Sequence, residues 1–345
     1  MFAYVGCRTT KRRNARGTGI QVFKVSDDFK NWTKASAFEP LENPSYLLIN
    51  KRQDRLYCIH GDRSEISAFS IDPFYGSLHF INQVSTGGAN PVHLAFNADE
   101  THIVISNHIS SSVAAVEIDT STGGLLARTD LFEILDKPGP HKTEQPFPKP
   151  HANPLHRNGW FYIPDKGTDK ILGLQLKDGV FCRHSQHSTA LREGSGPRHL
   201  AYHPHLSVIY CVNELDSTVT TLQVSENGTL SPVSTQSTVR DSFTEFNRAA
   251  GITINCTGSR LFVSNRGEDS VSVFNINAQG LLSFAYSIAS GGNTPRFIDV
   301  DTFMGHLHIA NEDSDNITTF KVSEDHAEPI HTLPTASPVC IVFKY

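Results

Sequence analysis

The hydrophobic and polar positions of the chain follow one phrase that recurs along its length. A Pro opens a strand-like run, a polar turn follows, and a four-residue apolar run then ends in Asn, Asp or His. The phrase spans 16 residues in five copies and 15 in the other. The copies are Pro44 to His60, Pro91 to Asn107, Pro150 to Asp165, Pro197 to Asn213, Ala249 to Asn265 (with the Pro lost) and Pro295 to Asn311. A fixed internal period of this kind indicates a repeat architecture.

Each copy continues into a third strand-like run, and a Gly-Xaa-Leu turn often opens a fourth. The third runs occupy residues 66–69, 113–116, 171–174, 219–222, 271–274 and 317–320. Short apolar runs bounded by Gly and Pro turns are typical of β-strands. Four short antiparallel strands per repeat predict the blade of a β-propeller.

The two termini supply a seventh copy of the repeat. Residues 337–343 match the first strand, residues 2–5 the second and residues 19–23 the third. The sequence therefore predicts an all-β fold, a seven-bladed β-propeller with four-stranded antiparallel blades, in which residues 1–345 form a single domain. Pairing of the N- and C-terminal strands in one blade closes the ring and leaves few exposed sheet edges.

Composition narrows the classes of function. The 345 residues carry a net charge of −5, with 19% charged and 38% hydrophobic residues, which excludes a disordered chain. No apolar run approaches the roughly 18 residues of a membrane span. The mildly acidic balance, without a long basic run, argues against nucleic acid as a partner. We expect neither membrane nor nucleic acid binding, and a monomer or weak homo-oligomer.

The N-terminus lacks the basic and apolar regions of a secretory signal. None of the six cysteines forms a Cys-Xaa-Xaa-Cys pair, and most lie inside apolar runs. Reduced, buried cysteines are typical of a protein in a reducing compartment. We therefore expect a cytoplasmic location.

The repeat also predicts where ionisable side chains meet. In an antiparallel pair the start of the first strand lies beside the end of the second, so the residue after each repeat Pro neighbours the residue after each repeat Asn. Both positions are expected at one mouth of the central channel. The first set is Ser45, Val92, His151, Arg198, Ala250, Arg296 and Val339, and the second is Cys7, Gly61, His108, Lys166, Glu214, Arg266 and Glu312.

The ionisable members of this ring suit an anionic ligand, because Arg grips carboxylate or phosphate with two N–H groups. Salt bridges around a water-filled tunnel are the structural alternative. Bringing so many charges together costs desolvation energy and adds nothing to a hydrophobic core. This cost favours a functional site over purely structural salt bridges.

Five different short motifs occur in order along the chain, at the spacing of the blades. They are residues 149–151 (Lys-Pro-His), 196–200 (Gly-Pro-Arg-His-Leu), 213–219 (Asn-Glu-Leu-Asp-Ser-Thr-Val), 264–267 (Ser-Asn-Arg-Gly) and 310–312 (Ala-Asn-Glu). Together they resemble the seven-bladed propeller lactonase family, over nearly the whole chain. That family contains the propeller type of 6-phosphogluconolactonase and the fungal 3-carboxy-cis,cis-muconate lactonizing enzyme.

The resemblance implies a catalytic set of one His, two Arg and one Glu, and it implies no metal or other cofactor. By motif, this set falls on His151, Arg198, Glu214 and Arg266. The substrate-binding residues predicted from the rest of the ring are His108, Lys166, Arg296 and Glu312.

The leading hypothesis is a lactonase that hydrolyses a small anionic sugar lactone, such as 6-phosphogluconolactone. A muconate-type cycloisomerase is the second, and a non-catalytic propeller that binds a protein partner is the third. In the lactonase hypothesis either His151 or Glu214 is the base, and two arginines stabilise the oxyanion. We expect Glu214 to be partly solvated, so that its loss would hardly change folding.

Two long connections interrupt the repeat. The first is rich in Pro and lies between Leu131 and Pro150, and the second is polar and lies between Thr235 and Asn247. Long loops on an economical scaffold are often functional. We expect a functional role for the first of the two.

Overall fold

The computed structural model describes residues 1–183 and 187–345, and within them the chain forms β-strands and one 3₁₀ turn, Lys11–Arg13. The strands of the first half are β1 (Phe2–Cys7), β2 (Ile20–Val25), β3 (Trp32–Phe38), β4 (Pro44–Ile49), β5 (Arg55–His60), β6 (Glu65–Ile71), β7 (Leu78–Ser85), β8 (Pro91–Phe96), β9 (His102–Asn107), β10 (Ser112–Ile118), β11 (Leu125–Glu133), β12 (Phe161–Asp165), β13 (Lys170–Leu174), β14 (Leu176–Lys177), β15 (Val180–Phe181) and β16 (His187–Ala190). Those of the second half are β17 (Pro197–Tyr202), β18 (Val208–Asn213), β19 (Thr218–Val224), β20 (Leu230–Ser237), β21 (Arg248–Ile254), β22 (Arg260–Arg266), β23 (Ser270–Ile276), β24 (Leu282–Ala289), β25 (Pro295–Val300), β26 (Leu307–Asn311), β27 (Asn316–Val322), β28 (Ala327–Pro334) and β29 (Pro338–Lys344).

The strands form seven antiparallel blades, which confirms the predicted propeller. Blade 1 contains β4 to β7, and the chain then builds blades 2 to 6 in order. The first strand of each blade lines the central channel, and the following strands step outward. None of the helical turns in the described residues is long and apolar enough to cross a membrane.

Blade 7 is built from both ends of the chain, as the termini predict. Its strand order is β29, β1, β2, β3, so the last strand of the chain is the innermost of the blade. Tyr4 pairs with Val342 on one side and with Val22 on the other. The ring is therefore closed by hydrogen bonds between the terminal strands.

Blade 3 departs from the four-stranded pattern. Its sheet contains β12, β13 and β16, while β14 and β15 form a separate hairpin. The innermost segment makes only two isolated bridges, Pro150 with Asp165 and Leu155 with Phe161. The repeat Pro of this blade thus pairs with the repeat Asp, although regular strand structure is lost beside the channel.

Buried tyrosines explain the Gly turns of the repeat. The hydroxyl of Tyr4 donates to the carbonyl of Gly76 in the neighbouring blade at 2.9 Å. The same bond recurs from Tyr57 to Gly123, Tyr162 to Gly228 and Tyr210 to Gly280. These glycines have φ between 68° and 86°, a region that favours residues without Cβ. Each turn therefore satisfies the polar end of a ring that fills the space between two blades.

The repeat Asn has a structural role of its own. The side chain of Asn213 is buried and donates to the hydroxyls of Thr218 and Thr220 on the third strand, at 2.9 and 3.0 Å. Asn107 and Asn265 make equivalent bonds to serines. The Asn thus fixes the end of the second strand. The residue after it is not needed for these bonds and is available for a site at the channel mouth.

The cysteines are only partly as expected. Cys7, Cys58, Cys211 and Cys340 are buried. Cys182 is partly buried and Cys256 is exposed, because it lies in the turn that precedes β22 rather than in a strand. The prediction of burial is therefore wrong for Cys256.

Ring closure leads to a first prediction. Deleting residues 336–345 removes β29, whose Cys340 and Ile341 are buried in the cores on either side of the blade. The deletion also leaves β1 as an unpaired sheet edge, because β29 is its partner on the channel side, and exposed edges promote aggregation. We expect aggregation or a large fall in melting temperature, measured by circular dichroism and size-exclusion chromatography. Deleting only the exposed Tyr345 is the control, and unchanged melting of the longer deletion would contradict closure.

Candidate active site

β-Bulges direct one residue of each inner strand toward the channel. Pro197 pairs with Asn213 and His199 pairs with Val212, so Arg198 is an extra residue in the ladder. The same register shift follows Pro44, Pro91 and Pro295. A bulge locally bends the strand and re-aims a side chain. The residue after the repeat Pro therefore lies beside the mouth and is not part of the blade core.

Glu214 is the centre of a cluster of four cations. Its Oε1 accepts from Nζ of Lys166 at 2.8 Å and lies 3.4 Å from Nη1 of Arg248. Its Oε2 accepts from Nε of Arg198 at 3.0 Å and lies 3.3 Å from Nη2 of Arg266. The carboxylate connects groups from blades 3, 4 and 5 in a single network.

The expected partial solvation of Glu214 is wrong. Its side chain is only 5% exposed, and that of Arg198 only 3%. Burial alone would raise the pKa of Glu214, but the charges of Arg266, Lys166 and Arg198 outweigh it and hold the pKa well below its usual range. Glu214 is thus a permanently ionised, fully engaged carboxylate.

A second carboxylate, Glu312, lies beside two further arginines. Nη1 of Arg296 is 3.6 Å from one of its oxygens, and Nε of Arg8 is 3.9 Å from the other. Arg8 is buried, and its Nε and Nη1 lack hydrogen-bond partners among the described residues. Burial, and then the neighbouring Arg296, lower the pKa of Arg8 to about 9, so it stays charged at neutral pH.

Arg8 replaces Cys7 in the predicted ring. Cys7 pairs with Pro338, which gives it the repeat-Asn position and makes Arg8 the residue after it. In the sequence a Cys stands where most other blades have Asn, Asp or His, and the two paired strands come from opposite ends of the chain, so no fixed spacing marks the position. Gly61 occupies the matching position in blade 1, and a Cβ there would lie 2.2 Å from Nη1 of Arg8. The missing side chain of one blade thus makes room for the guanidinium of its neighbour.

Three histidines adjoin the arginines. The ring of His151 lies 5.0 Å from that of His108 and 5.1 Å from that of His199. His108 donates from Nδ1 to the carbonyl of Pro150 at 3.2 Å. Nδ1 of His151 is buried without a partner among the described residues. Burial, and then the charge of Arg198, lower the pKa of His151 well below its usual value, so its imidazole is neutral at pH 7.

Two members of the cluster were not predicted from the sequence. Glu144 comes from the Pro-rich connection, and its carboxylate lies 2.9 Å from Nζ of Lys166 and 2.5 Å from Nη2 of Arg248. Arg248 precedes Ala249, which stands at a repeat-Pro position, and it pairs with Arg266 in the ladder. Neither residue occupies a predicted position of the repeat, so periodicity gave no signal for them.

The eight predicted residues all lie around this mouth. Glu214 gathers Lys166, Arg198 and Arg266, His151 contacts His108, and Arg296 pairs with Glu312. Arg8, His151, Arg198 and Arg296 line one cavity at the channel entrance. In the described ranges no cluster of three His, Cys, Asp or Glu side chains is arranged to hold a metal ion.

An aromatic layer separates the mouth from the rest of the channel. Tyr46 lies 4.5 Å from His93 and 6.4 Å from Phe297, between ring centroids. Below this layer the channel is lined by largely apolar first-strand residues of the seven blades. The polar cluster is thus open to solvent on one side and backed by rings on the other, which strengthens its electrostatic interactions.

Comparison with known proteins identifies the family. The sequence pattern described as "Lactonase, 7-bladed beta-propeller" matches residues 2–343. The 6-phosphogluconolactonase of Bacillus subtilis (strain 168) is 29% identical over 357 aligned residues, which cover 100% of this chain and 99% of that protein. The 6-phosphogluconolactonase of Formosa agariphila is also 29% identical, covering 92% and 91%.

A solved structure supports the fold independently. The periplasmic gluconolactonase of Pseudomonas aeruginosa superposes with a TM-score of 0.87 at 22% identity, covering 99% of this chain and 98% of that one. The predicted class of enzyme, a lactonase, is confirmed by the family match. The chain belongs to the seven-bladed β-propeller lactonase family.

Proposed function

We propose that this protein hydrolyses a phosphorylated sugar lactone, of the 6-phosphogluconolactone type, at the mouth that contains Glu214. One observation carries the proposal: six cationic side chains face three carboxylates there, among the described residues. The surplus of positive charge is matched by a dianionic phosphate on the substrate. The names of the Bacillus and Formosa relatives support the same substrate class.

His151 is the better candidate for the general base. Glu214 is held by four cations and its pKa is strongly lowered, so it is a poor proton acceptor. His151 is neutral, and its Nδ1 has no partner among the described residues. An anionic substrate beside it raises the pKa of the imidazole, because opposite charge favours the protonated form.

The chemistry then proceeds in two steps. His151 takes a proton from water as the water oxygen bonds to the lactone carbonyl carbon, and the carbonyl oxygen becomes an oxyanion. Arg198 and Arg266 stabilise that oxyanion, since both lie beside Glu214, Arg198 is buried in the cavity that His151 also lines, and Nε of Arg266 has no partner among the described residues. The carbon–oxygen bond of the ring breaks next, and the imidazolium returns its proton to the leaving oxygen. The product is the open-chain acid.

Other predicted residues orient the substrate. We propose that Glu312 accepts hydrogen bonds from sugar hydroxyls while Arg296 and Arg8 neutralise it. We propose that Lys166, which contacts Glu214, and His108, which adjoins His151, also contact the substrate. The role of polarising the carbonyl is assigned to the guanidinium groups, so the proposal needs no metal. We also propose that the protein acts in the cytoplasm.

Charge selectivity provides the test of this function. Hydrogen bonds between charged groups contribute roughly 1.5–3 kcal/mol each, so one phosphate contact changes kcat/KM by about 10- to 100-fold. We expect 6-phosphogluconolactone to exceed neutral gluconolactone by that factor at low salt, after subtraction of spontaneous hydrolysis. Millimolar inorganic phosphate should inhibit competitively. Equal kcat/KM for the two lactones would contradict the phosphate assignment.

A further inference from the structure

The Pro-rich connection, residues 134–149, is firmly attached to the mouth. The amide of Gly139 donates to the carbonyl of Gly167 at 2.8 Å, and Nε2 of Gln145 donates to the carbonyl of Lys166 at 2.9 Å. Gln145 is buried. The connection also packs closely on Gly167, where a Cβ would lie 2.0 Å from the carbonyl oxygen of Phe147. Its backbone therefore has a defined position above Lys166.

This attachment places Glu144 at the solvent side of the cation cluster. Glu144 precedes the anchored Gln145, and its side chain is 23% exposed. Its carboxylate contacts Lys166 and Arg248, the two cations that also contact Glu214. Burial alone would raise the pKa of Glu144, but hydrogen bonds from Lys166 and Arg248 hold it at about 2. The carboxylate is ionised at every pH at which the enzyme would work.

The two glutamates are held unequally. Glu214 is 5% exposed and is also held by Arg198 and Arg266, so it cannot leave without stranding four cations. Glu144 is bound by two cations and borders solvent. Rotation of its side chain would expose Lys166 and Arg248 while the Gln145 anchor stays in place. Glu144 is the replaceable anion of the pair.

We propose that Glu144 is a specificity-determining residue that occupies the place of the substrate phosphate. The phosphate displaces the Glu144 carboxylate from Lys166 and Arg248, and the displaced side chain turns to solvent. A dianion with three terminal oxygens binds an ammonium and a guanidinium better than a monocarboxylate does. A neutral lactone offers no group for this exchange, so the subsite discriminates against it. This inference rests on the proposed function.

Glu144→Gln tests the exchange without turnover. The amide keeps the shape of the side chain but no longer competes as an anion, so inorganic phosphate should bind more tightly. We expect Kd for phosphate, measured by isothermal titration calorimetry at fixed ionic strength, to fall by about 10-fold or more, as for one charged contact. Glu193→Gln is the matched control, because Glu193 is an exposed glutamate on a neighbouring loop. It should leave Kd within twofold.

Glu144→Ala is the second variant, and it removes any hydrogen bond that Gln retains. Both variants should tighten phosphate binding and retain the wild-type melting temperature within a few degrees. Unchanged or weaker phosphate binding in both variants would overturn the proposal, because Glu144 would then support the cations rather than compete for them. The same applies if Glu193→Gln tightens binding equally, since the effect would then be general electrostatics.

Kinetics separate this inference from the proposed function. In Glu144→Gln the KM for 6-phosphogluconolactone should fall, while that for gluconolactone should not change. If wild type turns over the phosphorylated lactone but the variant leaves its KM unaltered, the function stands and the inference fails. If phosphate binds more tightly but no lactone reacts, the anion subsite stands and the reaction is wrongly assigned.

Discussion

Glu214→Gln should both destabilise the protein and abolish most of its activity. Removing one member of a buried ion pair typically costs about 3–5 kcal/mol, because the partners are left uncompensated. Here four cations lose their common carboxylate, two of them in nearly or fully buried positions. At roughly 2–4 °C per kcal/mol, the melting temperature should fall by on the order of 10 °C. We also expect kcat/KM to fall by at least about 100-fold, because the arginines that we propose as oxyanion ligands would lose their orientation.

The control for this variant is Glu268→Gln. The Glu268 side chain is as buried as that of Glu214, but it pairs with one Arg240 that is 58% exposed and can be solvated. Differential scanning fluorimetry should therefore give a clearly smaller loss for the control, with near-normal kinetics. A stable Glu214→Gln with wild-type kcat/KM would remove Glu214 from both roles. A destabilised variant whose folded fraction is fully active would leave it a structural role only.

His151→Asn should lower kcat by about 10²–10⁴-fold, the usual effect of losing a positioned base. The melting temperature should change little, because the imidazole is neutral and removing it strands no charge. His203→Asn is the control, since His203 is a buried histidine of the turn after β17, where its Nδ1 accepts from the amide of Leu206. It should keep the wild-type kcat. Equal kcat values for the two variants would end the assignment of His151.

The pH profile adds an independent check on this base. In the proposed mechanism the active form is the neutral imidazole, and burial lowers the pKa of His151 well below 6.5 in the free enzyme. With gluconolactone, which carries no titrating phosphate, kcat/KM should therefore stay level as pH falls through 6.5 and decline only at lower pH. A decline centred at or above pH 6.5 would indicate a solvated histidine or another group.

The blades could be predicted from the sequence because the same residue types recur at nearly the same spacing in successive copies of the repeat. The Gly turns, the Asn at the end of the second strand and the Pro at the start of the first each have the same structural role wherever the repeat keeps them. The terminal blade could be assigned because residues 2–5 and 337–343 keep that pattern. The residue after each Pro or Asn has none of these structural roles and can therefore be ionisable. Such residues lie together at one mouth of the channel.

The remaining features depend on information that a periodic pattern does not contain. Arg8 was missed because the seventh copy joins the two ends of the chain and has Cys7 in place of the repeat Asn, so the sequence offers no fixed spacing from which to count. Glu144 lies in a connection outside the repeat, and only its anchoring by Gln145 brings it to the site. The expectation of a partly solvated Glu214 failed because burial depends on neighbours from three blades. The cations around Glu214 lower its pKa, and this favours His151 over Glu214 as the proposed base.

Turnover of two competing substrates by one preparation tests the central claim most directly. Acid release from 6-phosphogluconolactone is followed at near-neutral pH, with spontaneous opening subtracted, and the cyclisation of 3-carboxy-cis,cis-muconate is followed by its ultraviolet absorbance. The same two assays are run on Arg198→Lys, which keeps the charge but loses the two-pronged guanidinium. We predict rapid lactone hydrolysis by wild type, a substantial loss in the variant, and no reaction of the muconate. Turnover of the muconate with no acceleration of lactone opening would contradict the account.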